Sequence, residues 1–274
     1  MSQFSITFLG VRGSTPCCEQ KYQKYGGHTS CVLMETDDHV LLFDAGSGIA
    51  TANDYIKNKA QTDIHLFFSH VHLDHILGLP AYDAFWDKNK NIHIYAGTLE
   101  PYGGTQTFLQ KTFTAPLFPI DFKNFPANIT CLDFKAGDIL TLSSRIKIDT
   151  CALNHPNGAI GYRVNYDSKS ACYVTDTEHK VGEIDHSIAA LIHETDLFIY
   201  DSTFTDANYL KHKGWGHSTW QEGGRLSQIA NVKNTAIYHH DPEHDDIMMD
   251  AIAKQTAQMG SNIFIARQGL QIHL

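Results

Sequence analysis

At 274 residues, with 42% hydrophobic and 19% charged positions, the chain has enough apolar material for a sizeable core and could form one large domain or two modest ones. Its formal charge of −9 argues against a broad electrostatic grip on nucleic acid, although phosphate substrates remain open because a bound cation reverses the local field. Six cysteines with no CxxC pair argue against a disulfide framework or zinc finger, whereas 17 histidines tilt any metal site towards imidazole.

The first residues, Met1-Ser2-Gln3-Phe4, contain no basic or apolar leader, and no apolar run approaches the ~18 residues of a membrane span, so the chain reads as soluble and cytoplasmic. β-Branched and aromatic runs predict strands over Phe4–Gly10, Cys31–Thr36 and His39–Asp44, then a helix over Gly48–Lys59. Strands follow over Ile64–Ser69 and Ile92–Ala96. Residues 97–128, rich in Gly, Pro, Phe and Thr, read as an irregular insertion of the kind that covers a site. Further strands are expected over Ile129–Phe134, Arg145–Leu153, Ala159–Tyr166 and Ser170–Asp176. The remainder alternates: helix Ile184–Glu194, strand Leu197–Asp201, helix Ser218–Asn231, strand Thr235–His240 and helix Glu243–Met259. Asp241 is the expected N-cap of the last helix, with Pro242 at its first position. Ile263–Arg267 and an edge strand Leu270–Leu274 close the list. Hairpin strands early in each half, followed by strand–helix alternation, predict an α/β fold of four layers, αββα, with two sheets face to face. No linker or composition break divides residues 1–274, which read as a single domain.

The run His70-Val71-His72-Leu73-Asp74-His75 places three imidazoles and a carboxylate in one turn after an apolar strand. Neutral imidazole nitrogen and carboxylate oxygen are the preferred non-thiolate ligands of zinc, which makes this the dominant chemical feature. Other ligand types recur at predicted strand ends: Asp44 before a Gly turn, His155, Asp176, and the adjacent His239 and His240. Side chains alternate along a strand, so only one of that last pair faces the site, and His239 is preferred. His244, in the Pro242-Glu243-His244-Asp245-Asp246 run, could line the mouth of the site.

This order of motifs resembles the metallo-β-lactamase superfamily, in the branch containing tRNase Z and the small cyclic-phosphate phosphodiesterases. The resemblance implies that His70, His72 and His155 bind one divalent metal, that Asp74, His75 and His239 bind a second, and that Asp176 bridges them. It implies two divalent ions, zinc first, with manganese or iron as alternatives that suit the same ligands. Asp44 resembles the family's non-ligating carboxylate that orients the ligand turn. Asp201 and His217 resemble a further pair of this branch, with Asp201 standing where Glu is frequent. Asp74 would take the nucleophile's proton, and a protonated His217 would steady phosphate charge or protonate the leaving alkoxide. Arg12, Ser14 and Arg163 are candidate phosphate contacts, with a structural ion pair an equal reading for the two arginines.

The expected reaction is hydrolysis of a small phosphodiester, foremost a cyclic nucleotide, by attack of a metal-bridging hydroxide on phosphorus. Tyr102, Phe108, Phe113, Phe118 and Trp215 could stack on a base or belong to the core. Long nucleic acid is not the expected partner, because residues 97–128 carry only Lys111 and Lys123 as bases and no basic arm is evident. The alternatives are an RNA-processing endonuclease of tRNase Z type, a thioester or lactone hydrolase on the same metals, and a non-catalytic metal-binding module. The branch is often dimeric, so a homodimer is what the resemblance implies.

Overall fold

Runs such as Val40-Leu41-Leu42-Phe43 are apolar on both faces of the strand, which requires a layer on each side. The computed structural model describes residues 3–56 and 63–274 and supplies those layers. One sheet contains β1 (Ser5–Gly10), β2 (Cys31–Glu35), β3 (Val40–Phe43), β4 (Asp63–Phe68), β5 (Asn91–Ala96) and β6 (Asn128–Asp133). The other contains β7 (Ile139–Thr141), β8 (Ile146–Leu153), β9 (Ala159–Tyr166), β10 (Lys169–Val174), β11 (Leu197–Asp201), β12 (Thr235–Tyr238) and β13 (Ile263–Ile265). The edge strand β14 (Gln271–His273) returns to pair antiparallel with β1. Each sheet has seven strands, in the orders 14-1-2-3-4-5-6 and 13-12-11-10-9-8-7.

The two sheets repeat one logic. β1, β2 and β3 are antiparallel neighbours, after which β3 to β6 run parallel. Likewise β7 to β10 are antiparallel, and β10 to β13 run parallel. Strand alternation sends Phe43 and Phe67 inward against Tyr162 and Tyr173, forming the core between the sheets. The opposite face of the first sheet, including Leu42, Leu66 and Phe68, is covered by α1 (Ile49–Ile56) and by residues 97–128. The outer face of the second is covered by α4 (His186–Leu191), α5 (Trp220–Ile229) and α6 (Asp246–Met259). This is the expected αββα sandwich.

Some details differ from expectation. Residues 97–128 are not irregular throughout: they contain α3 (Gly104–Thr112) and bury Leu109, Phe113 and Phe125 under the first sheet. The last helix starts later than the Asp-Pro signal suggests. Its N-cap is Asp245, whose carboxylate accepts from Met248 N at 2.9 Å, and Pro242 lies in the preceding turn. β7 escaped prediction because three residues carry too little periodicity. The first predicted helix is seen over Ile49–Ile56, and its expected residues 57–59 lie outside the described residues. Among the described residues no helix is long and apolar enough to cross a membrane.

Candidate metal centre

The strands of both sheets that carry ligand-type residues at their C-terminal ends deliver them to one place. β4 ends at Phe68 and releases Ser69 and His70. The chain then runs extended through His72, and α2 (Leu73–Ile76) turns Asp74 and His75 back towards the centre. From the second sheet, β8 leads to His155, β10 to Asp176, β11 ends on Asp201, and β12 leads to His239. Asp44, Asp176 and His239 adopt left-handed backbone, with φ of 61°, 55° and 60°. Such conformations cost of order 1–3 kcal/mol each in a non-glycine residue and persist where surrounding contacts fix them.

Asp176 sits between two sets of imidazoles. One carboxylate oxygen lies 3.8 Å from His70 Nε2 and 3.7 Å from His155 Nε2, while His155 Nε2 is 3.1 Å from His72 Nδ1. The other oxygen lies 3.2 Å from both His75 Nε2 and His239 Nε2. Asp74 Oδ2 is 3.3 and 3.4 Å from the same two nitrogens. The two trios, His70/His72/His155 and Asp74/His75/His239, therefore face each other across Asp176.

The opposite ring nitrogens are already engaged. His75 Nδ1 donates to Asp44 at 2.7 Å and His155 Nδ1 to the carbonyl of Gly216 at 2.7 Å. Thr203 Oγ1 is 3.0 Å from His239 Nδ1, and Ser69 Oγ is 3.1 Å from His70 Nδ1. These contacts orient the rings and direct the other nitrogens at the centre, as the outer hydrogen bonds of metal-binding histidines do. There, Nε2 of His70, His75 and His239 are buried and have no hydrogen-bond partner. Divalent ions on either side of Asp176 would satisfy all three, so the residues fit such a group.

Electrostatics point the same way. Asp44, Asp74, Asp176 and Asp201 are all buried, and their ion pairs are with histidine, none with Lys or Arg among the described residues. Buried carboxylates at this density demand compensating positive charge. Burial opposes charge on His75, but Asp176, Asp74 and Asp44 outweigh it and raise its pKa well above the usual imidazole range. Burial holds His70 well below that range, with the charge of His75 adding to the effect, and burial also lowers His155. Neutral imidazole is the metal-binding form.

Asp44 organises the ligand turn. It accepts from Ser69 N and Ser69 Oγ at 2.7 Å each, from His75 Nδ1, and from Tyr173 Oη at 2.8 Å across the sheet interface. His217 lies beside the cluster, with Nδ1 3.0 Å from Asp201 and 3.7 Å from Asp176. Burial opposes its protonation, but Asp201 and, further off, Asp176 and Asp74 lift its pKa to about 9. Asp201 is itself held by Thr203 N, Thr203 Oγ1 and Thr177 N. The shorter Asp therefore reaches His217 without a Glu.

Three expected substrate contacts separate. Ser14 is at the centre through its backbone: its N–H donates to Asp74 Oδ2 at 2.8 Å. Arg12 is not available to substrate. It is fully buried, and its guanidinium donates to the carbonyls of Gly26, Asp241 and His244, joining the first loop to the turn before α6. Arg163 lies mid-strand in β9, where it binds the carbonyls of Leu191 and His193, away from the cluster. His240 turns away and binds the carbonyl of Ala266 at 2.7 Å, while buried His244 is in none of the ligand groups.

Sequence reasoning missed Tyr173, Thr203 and Glu178. Glu178 accepts from Gly214 N and Gly216 N, which fixes the loop whose carbonyl holds His155. Thr203 stands two residues after Asp201 and could have been suspected. Tyr173 looks like any core aromatic, and no local signal marks its cross-sheet bond.

Two facing mixed sheets with a histidine–aspartate cluster at their strand ends define a metal-dependent hydrolase. The chain belongs to the β-lactamase superfamily: residues 39–240 match the family model described as Beta-lactamase superfamily domain. A curated relative, ribonuclease Z of Haloarcula marismortui, is 22% identical and aligns over 97% of this chain and 95% of its own length. Among solved structures, the metallo-β-lactamase fold protein YhfI of Bacillus subtilis superposes with a TM-score of 0.75 at 19% identity, covering 100% of both chains. The short form of human tRNase Z gives 0.69 at 21% identity over 98% of each.

Proposed function

We propose that the chain hydrolyses a phosphodiester at a pair of divalent ions. His70, His72 and His155 would hold one ion, Asp74, His75 and His239 the other, and Asp176 would lie between them. Bound ions supply Lewis acidity there: they lower the pKa of water and offset charge on phosphate oxygens. The protein's own groups move the protons. Asp74, fixed by Ser14 N–H, accepts the proton of the attacking water as its oxygen bonds to phosphorus. His217 gives its Nε2 proton to the departing alkoxide as the ester P–O bond breaks, and Asp201 holds the ring in place.

The observation that carries this reading is the Asp201–His217 pair against Asp176. An alkoxide is a poor leaving group and needs a proton donor beside the metals. A thiolate leaves without one, so the pair favours phosphodiester over thioester chemistry.

Two substrate readings rest on different observations. The ribonuclease Z relatives, aligned over nearly the whole chain, favour RNA-processing endonuclease activity, and they support it better than they support a cyclic nucleotide. They also speak against setting long nucleic acid aside as a partner. The net charge of −9 favours a small phosphodiester, because it offers little counterion-release affinity for a long polyanion.

The deciding experiment sets wild-type protein and His217→Ala, with metal content measured in both, against a tRNA precursor with a 3′ trailer, a 3′,5′-cyclic nucleotide and a 2′,3′-cyclic nucleotide. Turnover that falls ~10²–10⁴-fold in the variant with metal retained supports the assignment. Unchanged turnover removes His217, and no turnover of any phosphodiester by the metal-loaded wild type refutes the reading.

A further inference from the structure

Residues 97–112 do more than cover the first sheet. They raise a wall beside His70 and His72, and the cavity of about 300 Å³ between them is also lined by Tyr102, Phe108, Lys111 and Asn157. This wall is built, not incidental. α3 enters through two left-handed glycines, Gly103 and Gly104 (φ 93° and 85°), and Asp133 Oδ1 pins the next residue by accepting from Thr105 N at 2.8 Å and Thr105 Oγ1 at 2.6 Å. A Cβ on Gly104 would approach Asp133 Oδ2 to 2.6 Å, so the helix sits as close as a glycine permits. Phe108 is backed edge-on by Phe68, with ring centroids 6.1 Å apart. Tyr102, 54% exposed, meets no other ring among the described residues. Asn157 and Gly158 (φ 66° and 82°), in the loop that follows His155, complete the lining.

We propose that this cavity is a single-nucleotide subsite, with Tyr102 and Phe108 flanking the nucleobase of the group that remains on phosphorus after cleavage. The proposal rests on the phosphodiester reading and extends it to a substrate class. A cavity of this volume is at the small end of ligand sites, large enough for one base and closed to a duplex end. It is predominantly aromatic and aliphatic, which suits the π-face of any base and gives stacking without strict sequence choice. It is continuous with the catalytic centre, because His70 and His72 belong to both. His217, the donor to the leaving oxygen, is not among its walls, so the seated group is the other substituent of phosphorus. One unpaired nucleotide retained on phosphorus satisfies these conditions whether it follows the scissile bond of an RNA or belongs to a small linear diester.

The test compares two substrates with the same leaving group, thymidine 5′-(4-nitrophenyl phosphate) and methyl 4-nitrophenyl phosphate, in the metal-loaded protein. Tyr102→Ala and the conservative Phe108→Leu are expected to lower kcat/KM for the thymidine ester roughly 5- to 100-fold, mainly through KM, and to leave the methyl ester within about twofold. Equal loss on both esters, or no loss on the thymidine ester, overturns the subsite while leaving phosphodiester hydrolysis standing. No turnover of either ester by wild type counts against the phosphodiester reading instead. A binding arm then decides the subsite: saturation transfer to the base protons of thymidine 5′-monophosphate is expected in wild type and lost in Tyr102→Ala. Absence of that signal in wild type overturns the subsite.

Discussion

Asp44→Asn isolates the contribution of the residue that touches no proposed metal yet holds the ligand turn. The native carboxylate takes four donors while fully buried: Ser69 N on Oδ1, and Ser69 Oγ, His75 Nδ1 and Tyr173 Oη on Oδ2. An amide keeps one acceptor oxygen. Turned towards the three donors, it leaves its NH₂ against Ser69 N–H, and turned the other way it abandons three donors, so the first orientation wins. One buried donor without an acceptor costs about 1–3 kcal/mol. The bond to His75 also loses its charge assistance, which roughly halves its strength. Loss of an outer partner of this kind lowers metal affinity by about 10–100-fold. In metal-free protein the variant also removes one of four crowded carboxylates, which offsets part of the damage. The expected signature is therefore a larger stability loss with metal than without, read by urea unfolding in both states, alongside weaker retention of metal in graded chelator. Equal losses in the two states, or metal affinity within about twofold of wild type, would refute the reasoning.

Gly13→Ala should disable the second ligand trio, since its Cβ would approach His239 Cε1 to 2.4 Å and Nδ1 to 2.5 Å. Gly182→Ala, which meets nothing within 4 Å at φ 79°, controls for backbone strain, and metal content and turnover of both distinguish the two effects. His65 is expected to make metal-free protein acid-sensitive. Burial first, then His93 and His39, lower its pKa to about 4, so between that value and the unfolded 6.5 the unfolded chain binds more protons. The stability it contributes is complete above pH 6.5 and declines by about 2–4 kcal/mol as pH falls towards 4. Urea unfolding across that range should show a shallower decline in His65→Gln, and parallel curves would refute it. Chelator should lower the melting temperature of the native protein, with divalent metal at ~1,000 times its Kd restoring about 4 kcal/mol, and a melting temperature indifferent to chelator would count against a resident ion.

Much of this molecule was legible because its strands are strongly periodic and its ligands stand at strand ends. The run from His70 to His75 needs only one strand exit and one helical turn to converge, so sequence spacing nearly determines its geometry. Alternation favours His239 over His240, and the two rings do point apart, although His239 lies past the end of β12 in left-handed backbone. What escaped detection depended on residues distant in sequence. Arg12 had the charge of a phosphate ligand, but three carbonyls from residues 26, 241 and 244 claim it, and no local pattern announces them. α3 was hidden by glycines at its start and by its polar sequence, in which only Phe108 and Leu109 are large and apolar, too few to draw an amphipathic stripe. The Asp241-Pro242 signal was a genuine turn former displaced by Asp245, whose carboxylate reaches Met248 N.

Hydrolysis at a metal pair requires cations on both sides of Asp176. Anomalous diffraction at the zinc edge, on crystals grown with zinc, tests this most directly. Two peaks about 3.5–4 Å apart are predicted, one bounded by His70, His72 and His155 and the other by Asp74, His75 and His239. A single peak, or peaks away from Asp176, would contradict it.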